Sequence, residues 1–124
     1  MRTAVTWFEI PVANFDRAVS FYERMLDTKL KYEERLGFKT AVFSYEEPGV
    51  GGSLTTGEGY APGAGGAIVY LPVAGMMDAV LKRAEKQGGK LLMPKTKVND
   101  QVGYIAQIVD CEGNRVGLHD PVLS

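Results

Sequence analysis

One stretch of this chain recurs 61 residues further on. Trp7-Phe8-Glu9-Ile10-Pro11-Val12 aligns with Ile68-Val69-Tyr70-Leu71-Pro72-Val73, Arg17-Ala18-Val19 with Asp78-Ala79-Val80, and Lys29-Leu30 with Lys90-Leu91. One shift serves all three pairings. A strand ending in Pro-Val, an amphipathic helix and a strand opening on Lys-Leu thus occur twice in the same order, as expected of a duplicated supersecondary unit. A chain of 124 residues, 45% of them hydrophobic, can bury roughly two thirds of its unfolded surface in one domain, whereas two separate small domains would be marginal. We therefore expect a single domain over 1–124, with a first module at 1–57, a Gly-rich linker at 58–66 and a second module at 67–124.

Charge narrows the partners. A formal net charge of -1 and no basic run leave no electrostatic footprint for nucleic acid or an anionic membrane. The N-terminal stretch reaches Glu9 before any signal-length apolar segment forms, and no segment is long enough to cross a bilayer. The single cysteine, Cys111, precludes an intrachain disulfide and suits a reducing compartment, so a cytoplasmic location is expected.

Alternation over residues 4–12 predicts a strand with Phe8, Ile10 and Val12 on a core face and Trp7, Glu9 and Pro11 on the other. Asn14 is placed to cap a helix with Asp16 in its first turn, and Phe15, Ala18, Val19, Tyr22, Met25 and Leu26 form its apolar stripe. Strands are predicted near 29–35 and 38–45, joined at Leu36-Gly37, and at Gly51–Thr56. The glycines and Pro62 between Gly57 and Gly66 read as a junction; no helix with a Lys-Ser/Thr start follows, as a phosphate loop would need. The second half predicts a strand at 67–73, a helix near 75–87 with Met77, Val80, Leu81 and Ala84 on one face, and an end at Gly88-Gly89. Strands near 90–93, 102–109 and 114–119 follow. Asp110-Cys111-Glu112-Gly113-Asn114 has hairpin composition, with Gly113 and Asn114 available for positive φ. Its carboxylates read as turn residues and Cys111 as incidental.

Each unit is then βαβββ, and the fold class is α+β: tandem modules forming a half-open, cup-shaped mixed sheet with helices on the outside. The face opposite the helices, with Trp7 and Glu9 in one half and Ile68 and Tyr70 in the other, would line the cup.

Trp7-Phe8-Glu9-Ile10-Pro11-Val12, Arg17-Ala18, Phe21-Tyr22-Glu23, Gly51-Gly52-Ser53-Leu54 and Asp110-Cys111-Glu112-Gly113-Asn114-Arg115-Val116-Gly117-Leu118 together resemble the vicinal-oxygen-chelate superfamily. That superfamily holds glyoxalase I, extradiol dioxygenases and bleomycin-resistance proteins, and the chain is most similar to lyases related to lactoylglutathione lyase. The resemblance spans essentially the whole chain and implies the glyoxalase-like fold; its members isomerise, cleave rings, open epoxides or only bind drugs. It also implies that metal ligands, where present, fall at Trp7, Ser53, Ile68 and Gly117. An indole, a neutral hydroxyl, an alkyl chain and a glycine do not make a divalent-metal set. A two-residue shift keeps the same face and brings in Glu9, Thr55, Tyr70 and His119.

No cofactor is therefore expected, although a divalent metal on Glu9 and His119 stays open. Two functions follow. One is binding of a small, partly aromatic molecule, with Trp7, Tyr70, Ser53 and Ile68 around it and Glu9 as polar anchor. The other is a lyase or isomerase using Glu9 and His119, with a metal or as an acid/base pair. A third reading is an interaction module whose cup is filled by its own side chains. Glu9 also reads as a polar residue hydrogen-bonded at the cup mouth, and His119 as a capped strand-end residue. The resemblance further implies a homodimer.

Overall fold

The computed structural model describes residues 3–121. Met1 and Arg2 of the N-terminal stretch, and the last three residues of the second module, lie outside the described residues. The chain runs β1 (Trp7–Pro11), α1 (Phe15–Leu26), β2 (Lys31–Arg35), β3 (Phe38–Val42), β4 (Gly51–Thr56), β5 (Tyr70–Pro72), α2 (Met77–Lys86), β6 (Lys90–Asn99), β7 (Gly103–Val109) and β8 (Arg115–Asp120). Strand, helix and three strands occur twice, as the repeat predicts.

Local chemistry sets the boundaries. Asn14 Oδ1 accepts from the Arg17 N–H at 3.1 Å, satisfying an N-terminal donor that has no partner within the helix. α1 stops at Asp27, whose left-handed backbone (φ 52°) turns its N–H onto the Glu23 carbonyl. Ala18, Phe21, Tyr22 and Met25 are its buried residues; Phe21 joins the predicted stripe. Leu36 and Gly37 both have positive φ, 52° and 83°, as a two-residue hairpin loop between twisted strands requires.

Several elements differ in length from the sequence reading; β2 begins at Lys31 and β3 ends at Val42. β1 begins at Trp7 and β5 at Tyr70, although the Val69 carbonyl still accepts from Gly117 N–H at 2.8 Å. β6 extends to Asn99 through Pro94, with three register shifts against β7. It is an edge strand, where a missing N–H costs no ladder bond if it faces outward. In the 110–114 turn Gly113 takes positive φ (86°) and Asn114 does not.

The strands form two mixed, open sheets ordered β1-β4-β3-β2 and β5-β8-β7-β6, with β1/β4 and β5/β8 parallel and the other pairs antiparallel. The repeat is visible in single bonds: Val12 N–H reaches the Thr55 carbonyl at 3.0 Å, and Val73 N–H reaches the His119 carbonyl at 2.9 Å. The helix-bearing faces of both sheets join in one core. Ile10, Val12, Phe43 and Leu54 come from the first sheet, Leu71, Ala106, Ile108 and Leu118 from the second, and Phe21, Tyr22, Met25, Met77 and Val80 from the helices. Among the described residues no helix is long and apolar enough to cross a membrane.

The turn after β7 ties the modules together. Asp110, buried, accepts from Tyr22 OH at 2.5 Å, from the N–H groups of Glu112 and Asn114 at 2.8 and 2.9 Å, and from Asn114 Nδ2 at 3.3 Å. Burial, followed by the Asp110 charge, raises the Tyr22 phenol well above its ordinary pKa, so it remains a donor. The Glu112 carboxylate accepts from the N–H groups of Ala13 and Asn14 and pairs with Arg17, at the start of α1. Desolvation pushes the Glu112 carboxyl up, but the hydrogen bonds from Arg17, Asn14 and Ala13 outweigh it and hold its pKa below the usual value.

A depressed carboxyl pKa adds stability that is present above the unfolded value, about 4.3, and lost as pH falls through the folded one. Urea unfolding followed from pH 7 to pH 3 should therefore show a wild-type midpoint that drops in the acid range. Glu112→Gln should start lower and drop less. Tyr22→Phe leaves Asp110 short of a buried donor, and should cost about 1–3 kcal/mol in the same measurement at pH 7.

Candidate functional site

The first sheet presents Trp7, Glu9 and Pro11 opposite Gly51, Ser53 and Thr55 on the face away from the core, because the register pairs them one to one. Trp7 meets the Tyr45 ring edge-on, with centroids 5.8 Å apart, and the Arg35 guanidinium lies 5.2 Å from its centroid. Glu9 accepts from Tyr60 OH at 2.9 Å and from Thr55 Oγ1 at 3.3 Å, and Thr55 is also bonded to Ser53 Oγ at 2.9 Å. Tyr60 belongs to the Gly-rich junction and packs its ring on Phe38 at 5.2 Å; its bond to Glu9 raises its phenol pKa.

In the second sheet Tyr70 and Gln107 both stand opposite Gly117, while Pro72 and Ile105 stand opposite His119. The Tyr70 ring lies over Gly117, so closely that a Cβ there would overlap it. With the ring in this place only glycine fits at 117. Tyr70 OH accepts from Gln107 Nε2 at 2.7 Å. Gln107 is 6% exposed and its Oε1 has no partner among the described residues; neither has the buried Arg115 Nε, on the same face of β8. Reversing the Gln107 amide would only exchange which of its ends is unpaired. His119 Nε2 lies 2.6 Å from the Val102 carbonyl, which can only accept, so Nε2 carries the proton. Ile68 precedes β5 and is half-buried.

Of the residues singled out from sequence, Glu9 and Ser53 are cross-strand neighbours, and Tyr70 is set against Gly117. Glu9 and His119 lie on different sheets and are bonded to different groups. No Glu9–His119 pair forms within the chain. Glu9 instead shares a cleft of about 290 Å³ with Arg115, Gly63, Gly65, Val69 and Asn114, where the end of β1 comes near the start of β8. Asn114 closes this approach, donating from Nδ2 to the Pro11 carbonyl at 2.7 Å and accepting from Gly63 N–H at 2.9 Å. Among the described residues no three His, Cys, Asp or Glu side chains cluster as metal ligands would.

Sequence reasoning missed Gln107, Arg115 and Tyr60. A weak signal existed for Gln107: it is an amide interrupting the otherwise apolar run Ile105-Ala106-Gln107-Ile108-Val109. Cys111 is set aside on chemical grounds. Burial first, then the charges of Asp110 and Glu112, push its thiol up to about 11, leaving little nucleophilic thiolate at neutral pH.

The sequence profile of the Glyoxalase/Bleomycin resistance protein/Dioxygenase superfamily matches residues 4–118. The chain belongs to this superfamily. Comparison with proteins of curated function yields no match. Among solved structures it is similar to a glyoxalase/bleomycin resistance protein from Albidiferax ferrireducens (17% identity, 95% of this chain and 99% of that one, TM-score 0.70). It is also similar to the fosfomycin resistance protein FosX from Listeria monocytogenes (13%, 99% and 97%, TM-score 0.67). A third is TnmS3, an antibiotic binding protein from a Streptomyces species (20%, 98% and 99%, TM-score 0.66). At these identities the likeness establishes a shared fold.

The overlap at Gly117 makes a direct test of this glyoxalase-like face. Gly117→Ala must drive the Tyr70 ring out, which its 40% exposure permits, and break its bond to Gln107. The expected cost is about 1–3 kcal/mol in urea unfolding, with the Tyr70 ring resonances moving toward those of a solvent-exposed tyrosine. Unmoved resonances would contradict this account of position 117.

Proposed function

We propose that this superfamily member binds a small, partly aromatic molecule without a metal, using the face that carries Tyr70, Gln107 and Arg115 and the adjoining cleft beside Glu9. The supporting observation is the unspent polar capacity of that face. A buried amide end on Gln107 and a buried guanidinium N–H on Arg115 have no partner among the described residues, and a buried group left so costs about 1–3 kcal/mol. Both atoms are covered in the unliganded chain; a ligand offering a hydrogen-bond donor and an acceptor would satisfy both on displacing the side chains over them, with the Tyr70 ring as an apolar wall. Glu9 and Arg115 border one cleft without forming an ion pair, which gives the ligand both a carboxylate and a guanidinium to read. Binding of antibiotics by structural relatives such as TnmS3 is consistent with this role.

The donor chemistry does not fit the metal that the superfamily often uses. Trp7 is an indole held against Tyr45, Ser53 Oγ is engaged with Thr55, Ile68 is an alkyl chain, and position 117 is covered by the Tyr70 ring. A ligating side chain at 117 would collide with that ring, so no step is routed through a metal. The reading includes a cytoplasmic homodimer. β1 and β5 each have a neighbour on one side only, and a second copy covering those edges would blunt them against non-specific pairing; Trp7 and Ser53 of the first sheet then belong to the same cup.

Thermal unfolding with a panel of small aromatic amides and phenols, in the presence of EDTA, tests the proposal. A true ligand at a hundred times its Kd stabilises by about 2.7 kcal/mol and should quench Trp7 in the dimer. Gln107→Leu should remove most of the shift while leaving the unliganded protein folded. Stabilisation by no compound, or only after divalent metal is restored, would overturn it. Light scattering should return twice the monomer mass.

A further inference from the structure

A separate, largely apolar cleft lies on the helix-bearing side. It measures about 550 Å³, within the roughly 300–1,000 Å³ typical of small-molecule sites. Phe8, Phe43, Leu71, Val73 and Val80 wall it, so its floor is continuous with the core. It opens between the end of α1, the β3–β4 loop and the start of α2. Its rim is also apolar: Met76, Tyr45 and Val50 line it and are 50%, 43% and 40% exposed. Three large apolar side chains exposed around one opening form a patch of the kind that marks a binding surface.

One cation is built into this rim. Arg83 of α2 is half-buried and lines the cleft, and its Nε donates to the Met25 carbonyl at 2.9 Å. That bond fixes the guanidinium in direction and leaves its terminal N–H groups unspent; Arg83 has no ion pair among the described residues. A partly desolvated, pre-aimed guanidinium beside apolar walls favours a planar anionic group strongly. Asp27 also borders the cleft, but it is solvent-exposed, where water and salt screen its charge.

We propose that this cleft is a second binding site, distinct from the Tyr70 face, for a small amphipathic molecule with an apolar body between the modules and one anionic head on Arg83. Occupancy would bridge α1 and α2, since Arg83 already links them through Met25. The inference does not rest on the reading of the Tyr70 face, because the two sites share no lining residue.

Two fluorescent probes of similar apolar body separate the contributions. Anilinonaphthalene sulfonate carries an anionic head; phenylnaphthylamine does not. Both should bind the folded protein with enhanced emission. Arg83→Gln should weaken the sulfonate about tenfold or more and leave phenylnaphthylamine within about twofold. Met76→Glu, at a rim position 50% exposed, should weaken the sulfonate more than phenylnaphthylamine, because charge repulsion adds to the lost apolar contact, and keeps the test valid if Arg83→Gln fails to fold. Sulfonate binding indifferent to both changes overturns the proposal, as does equal loss of the two probes in Arg83→Gln. Dissociation of a dimer by Met76→Glu overturns it too, by identifying a second copy of the chain as the cover of the cleft.

Discussion

The two modules share one core, and a five-residue turn pins them to each other. Asp110 and Glu112 of the second module reach opposite ends of the first two turns of α1, one taking the Tyr22 hydroxyl and the other the Ala13 and Asn14 N–H groups with Arg17. A helix start has donors that its own ladder cannot satisfy, and a carboxylate there is also favoured by the helix dipole. Here the acceptor is supplied from almost a hundred residues away. Asn114 adds a bond to the last carbonyl of β1. The contact between β1 and the start of β8, and with it the Glu9–Arg115 cleft, depends on this fastening.

The two open faces, alike by descent, have become chemically different. On the first, Glu9, Ser53, Thr55 and Tyr60 satisfy one another, and Trp7 is enclosed by Tyr45 and Arg35. Each face has a tyrosine ring lying over a strand glycine, Tyr45 on Gly51 and Tyr70 on Gly117, but on the second the amide beside the ring is only half satisfied. Internally satisfied polar groups rigidify a surface, whereas an unpaired buried one is costly. The duplicated scaffold thus carries one face whose polar side chains mostly bond one another and one with unpaired buried polar atoms, and a separate apolar cleft on the helix side.

Much of the architecture was legible because it depends on local periodicity. Alternation in β1, the Asn14 cap, the Leu36-Gly37 loop and the Gly88-Gly89 stop each follow from short-range sterics and hydrogen bonding. The misplaced boundaries have tertiary causes: β6 runs on through Pro94 because it is an edge strand, and Ile68 falls outside β5. Site chemistry was less legible. Glu9 and His119 are both ionisable and occupy the face implied by the superfamily, yet strand pairing places them on separate sheets. No motif links Arg115 with Gln107; the pairing of β7 with β8 sets them on one face.

By itself the sequence determined the duplicated βαβββ order, the core face of each element, the membership of the glyoxalase-like superfamily and the poverty of metal donors at Trp7, Ser53, Ile68 and Gly117. These follow from residue identity and spacing, which need no knowledge of long-range contacts. Tertiary structure alone decided that Tyr70 fills the space above Gly117, that Glu9 faces Arg115 across a cleft, that Glu112 anchors α1 and that Arg83 stands at the mouth of an apolar cleft. Each joins groups tens of residues apart, and which distant groups meet is set by strand register and packing of the whole core, not by any local pattern.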